Sequence, residues 1–273
     1  METKINFKSY DGTKLVGIYR APESVSLKGI FLLIHGIPSE KDEWGFYKDM
    51  AIELELNGYA SFRFDFRCNG ESAGGDIINL TISELVNDIE AAYCKLLSMA
   101  KKSLPFYVIG TSCGGGVTIK WINSFNRKVN HVFLMAPVLD YNYEIFGTDL
   151  RNDVEPYAII PENLQTQLNN EGHLDNEIHY GLAMINEARL FDAEFEIRYL
   201  NSDITIIQGN ADTVVPYSKS QHIAEIFDDK IQLITVPDAD HGFAVEGDDD
   251  LTAPGTKANH RFVYSEILKR IMI

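Results

Sequence analysis

The stretch Tyr107-Val108-Ile109-Gly110-Thr111-Ser112-Cys113-Gly114-Gly115-Gly116 decides the reading of this chain. An apolar run leads through a sharp turn into a glycine-rich helix start. Gly110-Thr111-Ser112-Cys113-Gly114 has the G-x-S-x-G spacing of a nucleophile elbow. A serine forced onto a tight strand-to-helix turn takes a strained backbone and pushes its hydroxyl out of the sheet. Side chains two residues to either side would collide with the turn and its neighbours, so glycine is wanted at 110 and 114. The following helix aims its unpaired N–H groups and dipole at the site, where a developing oxyanion would be stabilised.

The spacing alone arises by chance in roughly one chain in ten of this length, so the surroundings must carry the argument. A glycine turn entering a helix can also cradle phosphate. No lysine follows these glycines, which excludes a Walker-type loop. Three consecutive glycines in a first helical turn cost about 1 kcal/mol each relative to alanine. Something must therefore approach the backbone closely there.

Working outward, apolar runs alternate with helical periods. Residues 4–9 and 14–20 alternate as strands about the turn signal Asp11-Gly12 and predict an opening hairpin. Gly29 to Ile34 is continuously apolar, as expected of a strand covered on both faces. Trp44, Tyr47, Ala51 and Leu54 recur at helical spacing, and Ala60 to Phe64 predicts the next strand. Thr81-Ile82-Ser83-Glu84 fits a capping box ahead of a long helix. Pro105 to Ile109 feeds the elbow, Val117 to Ile122 continues the helix leaving it, and Val132 to Met135 is a further strand. The alternation breaks between about Asp140 and Leu200, which is aromatic and acidic without a convincing buried strand. It resumes with Ile204 to Ile207, a helix over Ile223 to Phe227, a strand over Ile231 to Val236, and a closing helix bearing Val263, Ile267 and Ile271. Strands alternating with helices predict an α/β fold with a mostly parallel sheet. The expected organisation is a core of residues 1–139 and 201–273 with a mainly helical cap insertion over 140–200.

Length and charge bound the function. The 273 residues suffice for one large α/β domain. A net charge of −16 argues against nucleic acid or an anionic membrane surface as the main partner. No apolar run approaches a membrane span. Met1-Glu2-Thr3-Lys4-Ile5-Asn6 lacks the apolar core of a signal peptide. Cys68, Cys94 and Cys113 form no C-x-x-C pair and read as free thiols in a reducing cytoplasm. The histidines show no metal spacing, and no cofactor is expected.

A serine nucleophile needs a base, and the base needs an orienting acid. In open α/β sheets such groups sit on loops at the carboxyl ends of strands. Asp212 follows the strand ending in Gln208-Gly209-Asn210, and His241 follows the strand ending at Val236. The chain order Ser112, Asp212, His241 is that of a hydrolase triad. Asp140, also beyond a strand, is a rival acid. Asp212 could instead cap a turn, and His241 could be a surface residue. For the oxyanion hole, Cys113 supplies one backbone N–H. The His35-Gly36-Ile37-Pro38 loop supplies another, from Ile37, because Pro38 cannot donate. His35 reads as a structural hydrogen-bonder beneath that loop.

Together these residues resemble the α/β-hydrolase superfamily. Within it they are similar to intracellular serine esterases of the cinnamoyl/feruloyl type and, beyond those, to monoacylglycerol-lipase-like hydrolases. The resemblance rests on His35-Gly36-Ile37, Arg63-Phe64-Asp65-Phe66-Arg67 to Gly70-Glu71-Ser72, the elbow, Gly209 to Pro216, and Ala239 to Phe243. It implies Ser112 as nucleophile, Asp212 as acid and His241 as base. The chain departs from the pattern at Cys68, where such families often have glycine. It departs again at Thr111, often histidine, and at Cys113, usually Gln, Met or Leu.

The expected activity is hydrolysis of small or aromatic carboxylic esters through an acyl-enzyme on Ser112. Tyr141, Tyr143, Phe146, Tyr157, Phe191 and Phe195 are candidates to line the acyl site, or simply to pack the cap. The same triad serves a thioesterase or an aminopeptidase-like serine peptidase. For the peptidase, Glu144, Asp149, Asp153 and Glu155 could hold a substrate amine. A ligand-binding protein on a hydrolase scaffold is the alternative outside enzymes.

Overall fold

The opening alternation closes into a hairpin at one edge of the main sheet. The computed structural model describes residues 2–23, 26–100, 104–146, 160–175 and 179–271. Strand β1 (Glu2–Lys8) pairs antiparallel with β2 (Lys14–Arg20). Then come β3 (Gly29–Ile34), β4 (Tyr59–Phe64), β5 (Phe106–Thr111) and β6 (His131–Met135). A short antiparallel pair follows, β7 (His173–Asp175) with β8 (His179–Gly181), and then β9 (Asp203–Gly209) and β10 (Ile231–Val236). The main sheet has eight strands in the order β1-β2-β4-β3-β5-β6-β9-β10. From β4 to β10 every neighbouring pair is parallel, while β2 runs antiparallel to β4.

The strand period of two divides the core into two layers. Ile30, Leu32, Ile34, Phe62, Phe64, Val108, Leu134 and Ile206 face one side. They pack there against α2 (Ile82–Met99) and α3 (Cys113–Ser124). Phe31, Leu33, Tyr107, Ile109, Phe133, Met135 and Ile207 face the other side. Their partners are α1 (Phe46–Leu56) and α9 (Pro254–Ile271). Each such side chain, fully buried, contributes about 1.5–3 kcal/mol. The capping box forms as expected: Glu84 N–H donates to Thr81 Oγ1, and Thr81 N–H donates to Glu84 Oε2, each at 3.1 Å.

Two expectations need correction. Trp44 fits the helical spacing of Tyr47, Ala51 and Leu54 but lies outside α1, 73% exposed. Glu43, Trp44 and Gly45 all take positive φ, so the helix begins only at Phe46. The stretch between β6 and β9 also contains strands. It holds α4 (Tyr141–Phe146), α5 (Glu162–Glu171), the β7–β8 pair, α6 (Leu182–Ala188) and α7 (Ala193–Ile197). Strands of three residues are too short to show a period of two. Leu168, Leu174, Tyr180, Met184, Ile185 and Phe191 from this stretch share one apolar cluster with the sheet. The remaining helix, α8 (Tyr217–Ile226), lies between β9 and β10.

Cys68 takes φ +64 in the loop after β4, a conformation glycine adopts freely and other residues pay for with about 1–3 kcal/mol of strain. The loop is held regardless by the buried Asp65 carboxylate. It accepts the Lys41 N–H at 2.7 Å and the Glu71 N–H at 2.9 Å, and pairs with Lys41 Nζ at 3.0 Å.

Candidate active site

Parallel register brings the carboxyl ends of β3, β5, β9 and β10 to one edge of the sheet. The loops leaving that edge carry His35-Gly36-Ile37, Ser112, Asp212 and His241 in turn.

Ser112 sits between β5 and α3 at φ 51, ψ −125. Three backbone bonds hold this strained turn. Ser112 N–H donates to Met135 O, and Ser112 O accepts from the Gly115 and Val138 N–H groups, all at 2.9 Å. The close approach demanded by the glycine run is visible atom by atom. A Cβ on Gly114 would lie 2.3 Å from His35 O. One on Gly116 would lie 2.4 Å from Val138 O and 2.6 Å from Tyr141 Cε2.

His241 Nδ1 lies 3.0 Å from Asp212 Oδ2 and 3.1 Å from Oδ1. The carboxylate fixes the proton on Nδ1 and leaves Nε2 as the ring's acceptor. The Asp212 side chain is fully buried, while that of His241 is 23% exposed. Asp212 also accepts from the Val214 and Val215 N–H groups and from Gln208 Nε2, at 2.9–3.0 Å, which fixes its plane. Burial alone would lower the His241 pKa. The Asp212 hydrogen bond and charge outweigh it, with Glu43 and Glu144 adding, so the pKa stands above 6.5. Asp240 does not reach the ring; it accepts the His241 and Thr213 N–H groups, each at 2.8 Å, and ties the two loops together. The rival acid Asp140 instead pairs with Lys219 at 2.9 Å.

Cys113 opens α3, so its N–H precedes the first intrahelical acceptor. Ile37 N–H has no acceptor among the described residues. The Cys113 thiol is buried and its pKa pushed up to about 12, which keeps it protonated. His35 Nε2 accepts the Phe66 N–H at 2.9 Å, and burial lowers the ring's pKa to about 4, so it stays neutral under the loop. Thr111, in the position before the serine, pairs its hydroxyl with Tyr47 Oη at 2.6 Å.

Ser112, His241 and Ile37 line one open cavity of about 610 Å³, together with Glu43, Trp44, Tyr143, Glu144 and Tyr180. Among the six aromatics expected at the acyl site, Tyr143 lines it. Tyr141, Phe146 and Phe191 are buried in the core cluster, and Phe195 is 55% exposed. Tyr157, Asp149, Asp153 and Glu155 lie outside the described residues. Glu43 and Tyr180 went unnoticed in the sequence. Glu43 is brought in by a left-handed turn and Tyr180 by a three-residue strand, neither of which has a periodic signature.

Comparison with known proteins places the chain in a family and a fold. Residues 26–179 match the family described as serine aminopeptidase, S33. A stretch of 126 residues is 30% identical to the monoglyceride lipase of Saccharomyces cerevisiae, covering 43% of this chain and 38% of that protein. The structure of Est1E from Butyrivibrio proteoclasticus with ferulic acid bound superposes with a TM-score of 0.73 at 19% identity, over 97% of this chain and 99% of that one. A putative hydrolase from Agrobacterium vitis S4 superposes with a TM-score of 0.74 at 20% identity, over 99% and 98%. At such identities the structural likenesses speak for the fold alone, which is that of the α/β-hydrolases. The family match spans more than half of the chain and takes in β3, the elbow and α3, and so the chain belongs to the serine aminopeptidase S33 family of α/β-hydrolases.

Proposed function

We propose that this protein is a serine hydrolase that cleaves carboxylic esters, with Ser112 as nucleophile, His241 as general base and Asp212 as the acid that orients it. The observation that carries the reading is one cavity lined by both the elbow serine and a histidine whose far nitrogen is held by a buried carboxylate. His241 Nε2 takes the Ser112 proton as the oxygen attacks the carbonyl carbon. The oxyanion rests on the Ile37 and Cys113 N–H groups, each contributing on the order of 3 kcal/mol to lowering the barrier. His241 then protonates the leaving alcohol. Water, deprotonated by the same ring, releases the acid from the acyl-enzyme.

Residues 140–200 act as a cap in this reading, because Tyr143, Glu144 and Tyr180 from that stretch line the cavity that holds Ser112. A volume of about 610 Å³ walled by Tyr143, Tyr180 and Trp44 suits a small or aromatic acyl group. Three free thiols suit a reducing compartment such as the cytoplasm. No described helix is long and apolar enough to cross a membrane.

One observation favours a second reading. Glu43 and Glu144 line the cavity, and no lysine or arginine among the described residues does. That wall suits a substrate amine and keeps aminopeptidase-like cleavage in view.

The test is hydrolysis of p-nitrophenyl esters, methyl hydroxycinnamates and aminoacyl p-nitroanilides by wild type and Ser112→Ala. Serine-dependent ester turnover is expected. Turnover confined to the anilides would move the assignment to a peptidase. No serine-dependent turnover of any substrate would sink both readings.

A further inference from the structure

Glu43 stands out among the cavity residues that the triad leaves unused. Its Oε2 accepts the Gly36 N–H at 2.9 Å. A Cβ on Gly36 would lie 3.0 Å from Ser112 Cβ and 3.5 Å from Glu43 Oε1. Gly36 therefore lies close to both Ser112 and the Glu43 carboxylate. Glu43 reaches this place through an unusual turn. Glu43, Trp44 and Gly45 take φ of +47, +55 and +90 in succession. Glu43 N–H donates to Glu40 O, and Glu43 O accepts the Phe46 N–H, each at 2.9 Å. Two non-glycine residues in the left-handed region beside an elbow mark a conformation that the surroundings enforce. Glu43 also forms, with Trp44 and His241, the wall between the main cavity and a second, mainly apolar one of about 250 Å³.

Resting on the hydrolase reading above, we propose that Glu43 is a positioning residue: it holds the Gly36–Ile37 loop beside Ser112 and shares a cavity wall with His241. Engaging the Gly36 N–H takes that donor out of play and leaves the next one, on Ile37, for the oxyanion. The carboxylate also adds a negative charge near the imidazolium that forms as Ser112 loses its proton. The titratable groups around it are Glu40 on its own loop, Tyr47 on α1, His241 beyond β10, Glu144 on α4 across the cavity, and Asp249 lining the second cavity. Desolvation pushes the Glu43 carboxyl up to about 7, against the pull of the Gly36 N–H and of His241. Glu43 thus changes charge near neutral pH.

The experiment compares wild type, Glu43→Gln, Glu43→Ala and Ser112→Ala. It measures p-nitrophenyl ester hydrolysis from about pH 5 to 9, the rate of Ser112 labelling by a fluorophosphonate, and the melting temperature of each protein. Glu43→Ala should lose about tenfold or more in kcat with little change in KM, because the oxyanion loop is no longer held. In Glu43→Gln the amide oxygen can still accept the Gly36 N–H, so this variant should recover most of kcat at high pH. Its acid limb should move to lower pH, because one of the charges that hold the His241 pKa up is gone. Equal kcat and identical pH limbs in wild type and both Glu43 variants would overturn the proposal. So would equal losses in both variants with an unchanged limb, which would mark a purely structural role. If wild type neither labels nor exceeds Ser112→Ala, the hydrolase reading itself falls and takes the proposal with it. If Ser112 is labelled and required while the Glu43 variants match wild type, the proposal alone falls.

Discussion

The Tyr141 hydroxyl donates to the Cys113 carbonyl at 2.5 Å, tying the first residue of α4 to the first residue of α3. Tyr141 is 2% exposed and its ring lies 5.1 Å from that of Phe191. The stretch beyond β6 is thereby fastened to the turn that bears the nucleophile. Tyr141→Phe keeps the ring and removes this one bond, while the Cys113 carbonyl keeps its place as a helix acceptor. We expect a loss of about 0.5–1.5 kcal/mol in urea unfolding, with kcat within about tenfold of wild type. A variant as stable as wild type would show that the hydroxyl does not help to fasten α4 to α3.

The glycine after the nucleophile pair gives a sharper expectation. A methyl on Gly114 would stand 2.3 Å from His35 O, and backbone on both sides leaves no flexible side chain to yield. Gly114→Ala must push the His35–Ile37 loop away from α3, separating the two backbone donors proposed for the oxyanion. A loss of about a hundredfold or more in kcat is expected, since small misplacements at a reacting centre carry that cost. A nearly unchanged kcat would mean that Ile37 and Cys113 do not act together.

What could be read from the chain alone followed from periodicity and strand ends. Continuous apolar runs such as Gly29 to Ile34 have few readings other than a doubly covered strand. Once the sheet is parallel, the loops carrying Ser112, Asp212 and His241 must share an edge. Asp212 and Asp140 both follow strands, so the chain alone does not separate them; it is Asp212 that bonds His241 Nδ1, while Asp140 pairs with Lys219. Trp44 shows how spacing misleads: 44, 47, 51 and 54 match a helix, yet the left-handed turn at Glu43 to Gly45 starts the helix later and turns the indole outward. The same turn hid Glu43, because its neighbour in the cavity wall, His241, is almost two hundred residues away in the chain. The aromatics beyond Asp140 were illegible for another reason. A tyrosine packs a core or walls a cavity equally well, and only three-dimensional placement separates Tyr141 from Tyr143.

Asp212 is expected to set both the rate and its pH dependence. Its hydrogen bond and charge are what hold the His241 pKa above 6.5 against burial. Because the folded pKa is raised, His241 protonation stabilises the fold fully below about 6.5, and that stability fades as pH rises through the folded pKa. The base is usable only above that pKa, so activity should fall as pH drops through it. Asp212→Asn removes the charge and frees the ring to take the wrong tautomer. Hydrolysis should drop by about 10³–10⁴-fold, and the remaining acid limb should move to lower pH. A limb that stays in place would show that Glu43 and Glu144, not Asp212, govern His241.

Glu43 carries an expectation about stability distinct from its effect on rate. Its carboxyl titrates near 7 in the fold against an ordinary value of 4.5, so the folded state holds that proton more tightly than the unfolded chain does. The unfolded chain therefore binds fewer protons between those values, and the slope of stability with pH from this group is negative. Its contribution is present below about 4.5 and is lost as pH rises through about 7. Glu43→Gln cannot ionise and is free of that loss. The difference in melting temperature, variant minus wild type, should grow from about pH 5 to 8, leaving the variant the more stable protein at the alkaline end. A residue kept at a cost in stability where it faces the nucleophile and its base is what a positioning role requires. Parallel melting curves across that range would mean that the carboxyl ionises as freely in the fold as in water.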